Sequence, residues 1–105
     1  MTYIIENTEC RIITFNSLKQ NEGIGTLLLE KLKQNVKDKD ISRLLLETTN
    51  DNLNALKFYQ KRGFKIIAIY PDIIEQVRKI KPQIPLIGNQ DIPLRDIFEL
   101  EMKLK

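Results

Sequence analysis

The sequence predicts a mixed α/β (α+β) domain, in which one largely antiparallel mixed sheet carries helices on both faces. Three observations point there. Helical periodicity begins at Gly23, and apolar runs of strand length lie on either side of that segment. At the end of the chain, Phe98, Leu100, Met102 and Leu104 alternate with Glu99, Glu101, Lys103 and Lys105, the pattern of a half-exposed antiparallel strand.

The elements follow in order. Tyr3–Glu6 and Cys10–Phe15 read as two short strands around the tight turn ENTE. From Gly23, residues Ile24, Leu27, Leu28, Leu32 and Val36 keep helical spacing, with Glu30, Lys31, Lys33 and Gln34 on the wet side. The charged turn Lys37–Asp40 ends that helix. Arg43–Thr48 holds three consecutive leucines, as a central strand covered on both faces would. The run TNDN offers caps for a helix from about Asn52 to Arg62, with Asn50 or Asp51 expected as the N-cap and Gly63 as the C′ residue. Phe64–Tyr70 is a further apolar strand. Asp72 and Glu75 stand at capping-box spacing ahead of a helix that Pro82 stops, and Pro82–Asp96, with three prolines and Gly88, reads as a long surface loop. The expected order is β-β-α-β-α-β-α-β.

A chain of 105 residues can build one core, so residues 1–105 are read as a single domain. No apolar run approaches the ~20 residues that span a bilayer, and the N-terminus lacks the basic-then-apolar order of a signal peptide. One cysteine, Cys10, fits a reducing cytoplasm and excludes an internal disulfide framework. The absence of histidine removes Ser-His-Asp and Cys-His sites and histidine metal sites together. No metal is expected. Acid–base chemistry falls to Asp, Glu, Tyr, Lys or the lone thiol. A net charge of +3 suits an anionic ligand, and nothing interleaves the basic residues with aromatics as a nucleic-acid surface would.

The stretch QNEGIG places Gly23 and Gly25 at a helix start, where outward amides and the helix dipole attract anions. Neither a P-loop nor a dinucleotide fingerprint is met, since Thr26 and Leu27 follow Gly25 and Leu28 occupies the third glycine position. A second motif lies downstream, NLNALKFYQKRGF at Asn52–Phe64. Together the two resemble the GNAT superfamily of acetyl-CoA-dependent N-acetyltransferases. Gln20, Gly23 and Gly25 fill its Gln/Arg-x-x-Gly-x-Gly/Ala loop. Asn52, Ala55, Tyr59, Gly63 and Phe64 fill its Asn-x-x-Ala-x-x-x-Tyr helix and the Gly-Phe that follows.

The resemblance implies the acyl-CoA N-acyltransferase fold and acetyl transfer to a primary amine by direct attack in a ternary complex. Coenzyme A would run between splayed strands, bonded to backbone near Ile13 and Phe15. Its pyrophosphate would rest on Gln20, Asn21, Glu22, Gly23, Ile24, Gly25 and Thr26, and Asn52 would hold the arm from the other side. An amide near Phe15 is the expected oxyanion donor. Tyr59 is the expected acid for the departing thiolate. Glu47 is the expected base, against a solvated strand-end glutamate, with Glu6 and Asp51 as weaker candidates. Lys57 and Lys61 read as a wet helix face, and Cys10 as a buried small side chain. Asn21 departs from the glycine common there. Family members also have strands and helices before the segment matching Tyr3, so the domain is expected to be N-terminally short, with an open edge at Tyr3–Glu6 and a possible homodimer through it. The amine acceptor is not named by any motif. A CoA-binding module that has lost its acceptor site is the alternative.

Overall fold

A computed structural model describes residues 2–14, 22–37 and 39–104. Strands β1 (Thr2–Glu6) and β2 (Glu9–Thr14) form a hairpin. Its tip places Asn7 at a φ of 55°, a left-handed conformation that asparagine accepts more readily than most residues. Helix α1 (Glu22–Val36), strand β3 (Arg43–Thr49), helix α2 (Leu53–Lys61), strand β4 (Lys65–Tyr70), helix α3 (Ile73–Ile80) and strand β5 (Ile97–Lys103) follow. The element order is the one expected. A short 3-10 turn, Asn89–Asp91, lies inside the long loop.

The strands stand in the order β1-β2-β3-β5-β4. Among the described residues only β2 and β3 pair in parallel; the other neighbours are antiparallel. Register puts Cys10, Ile12, Leu44, Leu46, Leu100 and Met102 on one face, where they meet Leu29, Leu32 and Val36 of α1 and Ala55, Leu56, Phe58 and Tyr59 of α2 in one buried cluster. Both long helices pack on this face. They share a face because their apolar stripes meet the same row of strand side chains. The other face carries Arg11, Arg43, Leu45, Glu47, Glu99 and Glu101, of which Leu45 is buried. Among the described residues no helix is long and apolar enough to cross a membrane.

Several local readings change. In α1 the buried stripe is Leu29, Leu32 and Val36, while Leu27 is 61% exposed. Three leucines in a row let the sequence support either phase of the helix, and packing against the sheet selects one. The N-cap of α2 is Asn52, whose side-chain oxygen accepts from the Ala55 amide at 3.2 Å; Asn50 and Asp51 do other work. Gly63, at a φ of 103°, ends the helix as expected. Asp72 stands at the N-cap of α3 without a side-chain cap bond, and Glu75 pairs with Arg78 instead of closing a capping box.

The loop after α3 is held by polar contacts rather than by an apolar underside. Arg78 donates to the carbonyls of Ile84, Pro85 and Leu94. Asn50 accepts from the Arg95 and Asp96 amides and donates to Pro93 O. Asp51, only 5% exposed, accepts from Thr49 Oγ1 at 2.5 Å and the Asn89 amide at 2.8 Å. A Cβ at Gly88 would overlap the Asp51 carboxylate. Gly88→Ala should therefore cost about 1–3 kcal/mol through overpacking and a disturbed buried acceptor. Chemical denaturation measures it, and an unchanged midpoint would show that the loop shifts without loss.

Candidate active site

Two strands of the sheet part company at its centre. The β2–β3 ladder runs Glu9↔Arg43, Cys10↔Leu44, Arg11↔Leu45, Ile12↔Leu46 and stops there. Both strands continue, β2 to Thr14 and β3 to Thr49. Their outer sides stay paired, Thr14 with Thr2 on β1 and Thr49 with Ile97 on β5. Between Tyr3↔Ile12 and Thr2↔Thr14 the register shifts, so Ile13 is a bulged residue that bends the end of β2. The result is a gap between the two strands, lined by backbone that, among the described residues, has no ladder partner across it.

Helix α1 begins at Glu22, and its first turn holds Gly23, Ile24 and Gly25. The first four amides of a helix lack intrahelical acceptors, and the dipole makes that end positive. The expected pyrophosphate residues Glu22, Gly23, Ile24, Gly25 and Thr26 thus lie on one helical turn. Phe15, Gln20 and Asn21 lie outside the described residues.

One contact at this end went unread in the sequence. Thr26 Oγ1 accepts from Arg62 Nε at 3.2 Å and from its Nη2 at 2.9 Å. The guanidinium also lies 4.6 Å over the Phe58 ring. Arg62 joins the end of α2 to the start of α1 and brings a fixed positive charge near the first turn. Lys57 and Lys61, the cations weighed from the sequence, are exposed on α2. The available signal was spacing: Arg62 stands four residues after Phe58, within reach along the helix.

Tyr59 is 4% exposed and packs edge-on against Phe58 and Phe64, with ring centroids 5.4 and 5.2 Å away. Burial pushes its phenol well above the ordinary range, so it is held protonated. Ala55 and Tyr59 share one stripe of α2 by their i, i+4 spacing, and Asn52 caps the start of that helix.

Glu47 is the first β3 residue beyond the last pair with β2, and the strand's alternation turns it to the face opposite Leu46 and the Tyr59 cluster. Its side chain is 48% exposed, with Arg11 Nη1 at 3.9 Å. Of the weaker candidates, Asp51 is buried with its oxygens engaged as described, and Glu6 is exposed at the end of β1. Cys10 is fully buried, which raises its thiol pKa and makes it a packing residue.

The profile of the Acetyltransferase (GNAT) family matches residues 8–64, more than half of the chain. The chain belongs to the GNAT acetyltransferase family. The described fold agrees with that of other GNAT proteins. It superposes on an IAA acetyltransferase from Bacillus cereus ATCC 14579 with a TM-score of 0.76 at 28% identity, covering 97% of this chain and 68% of that one. A GNAT family acetyltransferase from Elizabethkingia anophelis, solved with acetyl-CoA bound, gives 0.76 at 27% identity, covering 97% of this chain and 65% of that one. The uncharacterized protein YxbD of Bacillus subtilis (strain 168) is 44% identical over 105 residues, which is all of this chain and 66% of that protein. This GNAT chain thus spans just under two thirds of that relative's length.

Proposed function

We propose that residues 1–105 form one GNAT domain that binds acetyl-CoA and transfers its acetyl group to a primary amine. The observation that carries this reading is the gap between β2 and β3, with Tyr59 on one side of the sheet and Glu47 on the other. The gap suits an extended amide-bearing arm, because each strand still offers backbone donors and acceptors on its inner side. The first turn of α1, with its two glycines, suits the pyrophosphate, and Arg62 adds a cation beside it.

Glu47 takes a proton from the incoming ammonium, directly or through water, which leaves a neutral amine. The amine nitrogen bonds to the thioester carbon, a backbone amide at the gap stabilises the oxygen, and the carbon–sulfur bond breaks. Tyr59 delivers its proton to the departing sulfur, and the nitrogen, now bonded to the acetyl carbon, gives up its second proton to solvent or to the Tyr59 phenolate, which leaves a neutral amide. Acid and base on opposite faces suit a reaction in which donor and acceptor enter from opposite sides.

The test is acetyl-CoA turnover in the presence of primary amines, with calorimetric binding of CoA beside it. Glu47→Gln should lower kcat about 10²-fold or more, as loss of a general base does, and leave CoA binding intact. Binding of CoA with no transfer to any amine would instead favour the non-catalytic binding module.

A further inference from the structure

The open face of the sheet carries two arginines, each shared between carboxylates on neighbouring strands, and the two are not shared alike. Arg43 is held on both sides, by Glu9 at 3.0 Å and by a short contact to Glu101. Arg11 lies 3.2 Å from Glu99 and 3.9 Å from Glu47. Glu99 and Glu47 are direct cross-strand partners on β5 and β3, an arrangement of like charges that costs stability unless a cation offsets it. Their surroundings differ sharply. The Glu99 side chain is 15% exposed, with one oxygen on Arg11 and the other accepting from the Tyr70 hydroxyl at 3.2 Å. The Glu47 side chain is 48% exposed, with Arg11 only at the limit of contact.

The geometry points to Glu99 as a positioning residue for Glu47: it draws Arg11 to itself and so leaves the Glu47 carboxylate open to an incoming ammonium. The inference rests on the reading of Glu47 as the base. The groups that face Glu47 are Arg11 from β2, Glu99 from β5 and Tyr70 from β4. Arg43 is committed to Glu9 and Glu101, so among the described residues Arg11 is the cation that decides whether Glu47 is engaged. Tyr70 belongs to the same device. Its hydroxyl fills the second oxygen of Glu99 and keeps that carboxylate turned toward Arg11. A charge-assisted bond from guanidinium to carboxylate is roughly twice as strong as one to a neutral acceptor. Once the charge at position 99 is removed, Arg11 closes on Glu47, the other carboxylate with which it is already in contact, at 3.9 Å.

The test compares Glu99→Gln with the double variant Glu99→Gln/Arg11→Gln. In a crystal structure of Glu99→Gln, Arg11 should move to normal salt-bridge distance from Glu47. With acetyl-CoA and spermidine or ethanolamine as substrates, that variant should lose about tenfold in kcat, part of what a lost base costs, while its CoA affinity is unchanged. Adding Arg11→Gln should restore most of the rate, because nothing then competes for Glu47. A residue that merely supports the sheet would give losses that add. Arg11 unmoved in the Glu99→Gln structure overturns the inference, as does an unchanged kcat in a variant whose Arg11 has moved. If neither amine is turned over, the Arg11–Glu47 distance alone decides. A fully active Glu47→Gln protein would instead remove the base reading itself.

Discussion

Replacing Tyr59 with Phe should lower kcat by about 10–10³-fold and leave acetyl-CoA affinity nearly unchanged, the pattern of an interaction made in the transition state. The substitution keeps the ring that packs between Phe58 and Phe64 and removes only the hydroxyl. Folding should therefore survive, as melting will show. Burial holds the phenol protonated beyond the ordinary tyrosine range, so wild-type kcat should not fall through loss of this acid near neutral pH. A buried phenol is a weak acid in bulk terms. On the proposed reading it would serve as donor because a departing thiolate would develop beside it. An unaltered kcat, under conditions where chemistry limits the rate, would return Tyr59 to packing.

Gly25→Val should weaken CoA binding by one to three powers of ten. On the proposed reading the first turn of α1 would meet the pyrophosphate through its amides, and a branched side chain there would stand where phosphate oxygens must approach. Hydrogen bonds to charged groups contribute about 1.5–3 kcal/mol each, so losing one or two accounts for that range. Valine is a better helix former than glycine, so the helix itself is not at risk. Calorimetry on the folded variant reads the result, and unchanged affinity would move the pyrophosphate elsewhere.

Much of this architecture was legible because period and punctuation agree. The alternation of β5, the leucine run of β3 and Gly63 after α2 each name their element without outside help. The phase of α1 was not legible, since consecutive leucines satisfy two helical stripes and only the sheet beneath selects Leu29 over Leu27. The cap of α2 was misread for a related reason. Asn50, Asp51 and Asn52 are all good caps, and two of them are taken by the loop that returns from α3. Long-range polar contacts of that kind leave no periodic trace. The same holds for Arg62 on Thr26 and for Arg11 between Glu47 and Glu99, contacts that join residues 36 to 88 positions apart. Motif matching marked Tyr59 and the glycine turn, but motifs carry no record of the face to which a strand-end glutamate points.

The early end of the β2–β3 ladder has a mechanical consequence. It leaves the sheet as two plates, a hairpin on one side and a three-stranded slab on the other, sewn together by four residue pairs. Covalently, the plates are joined by the path through α1, whose inner face rests on both. Such a seam can flex by a small angle without breaking either plate, and the flexing would change the width of the gap and little else. A ligand strand lying in the gap would stitch the seam for the rest of its length. On this view the thioester arm is a temporary sixth strand, and the sheet is stiffest while the arm is in place.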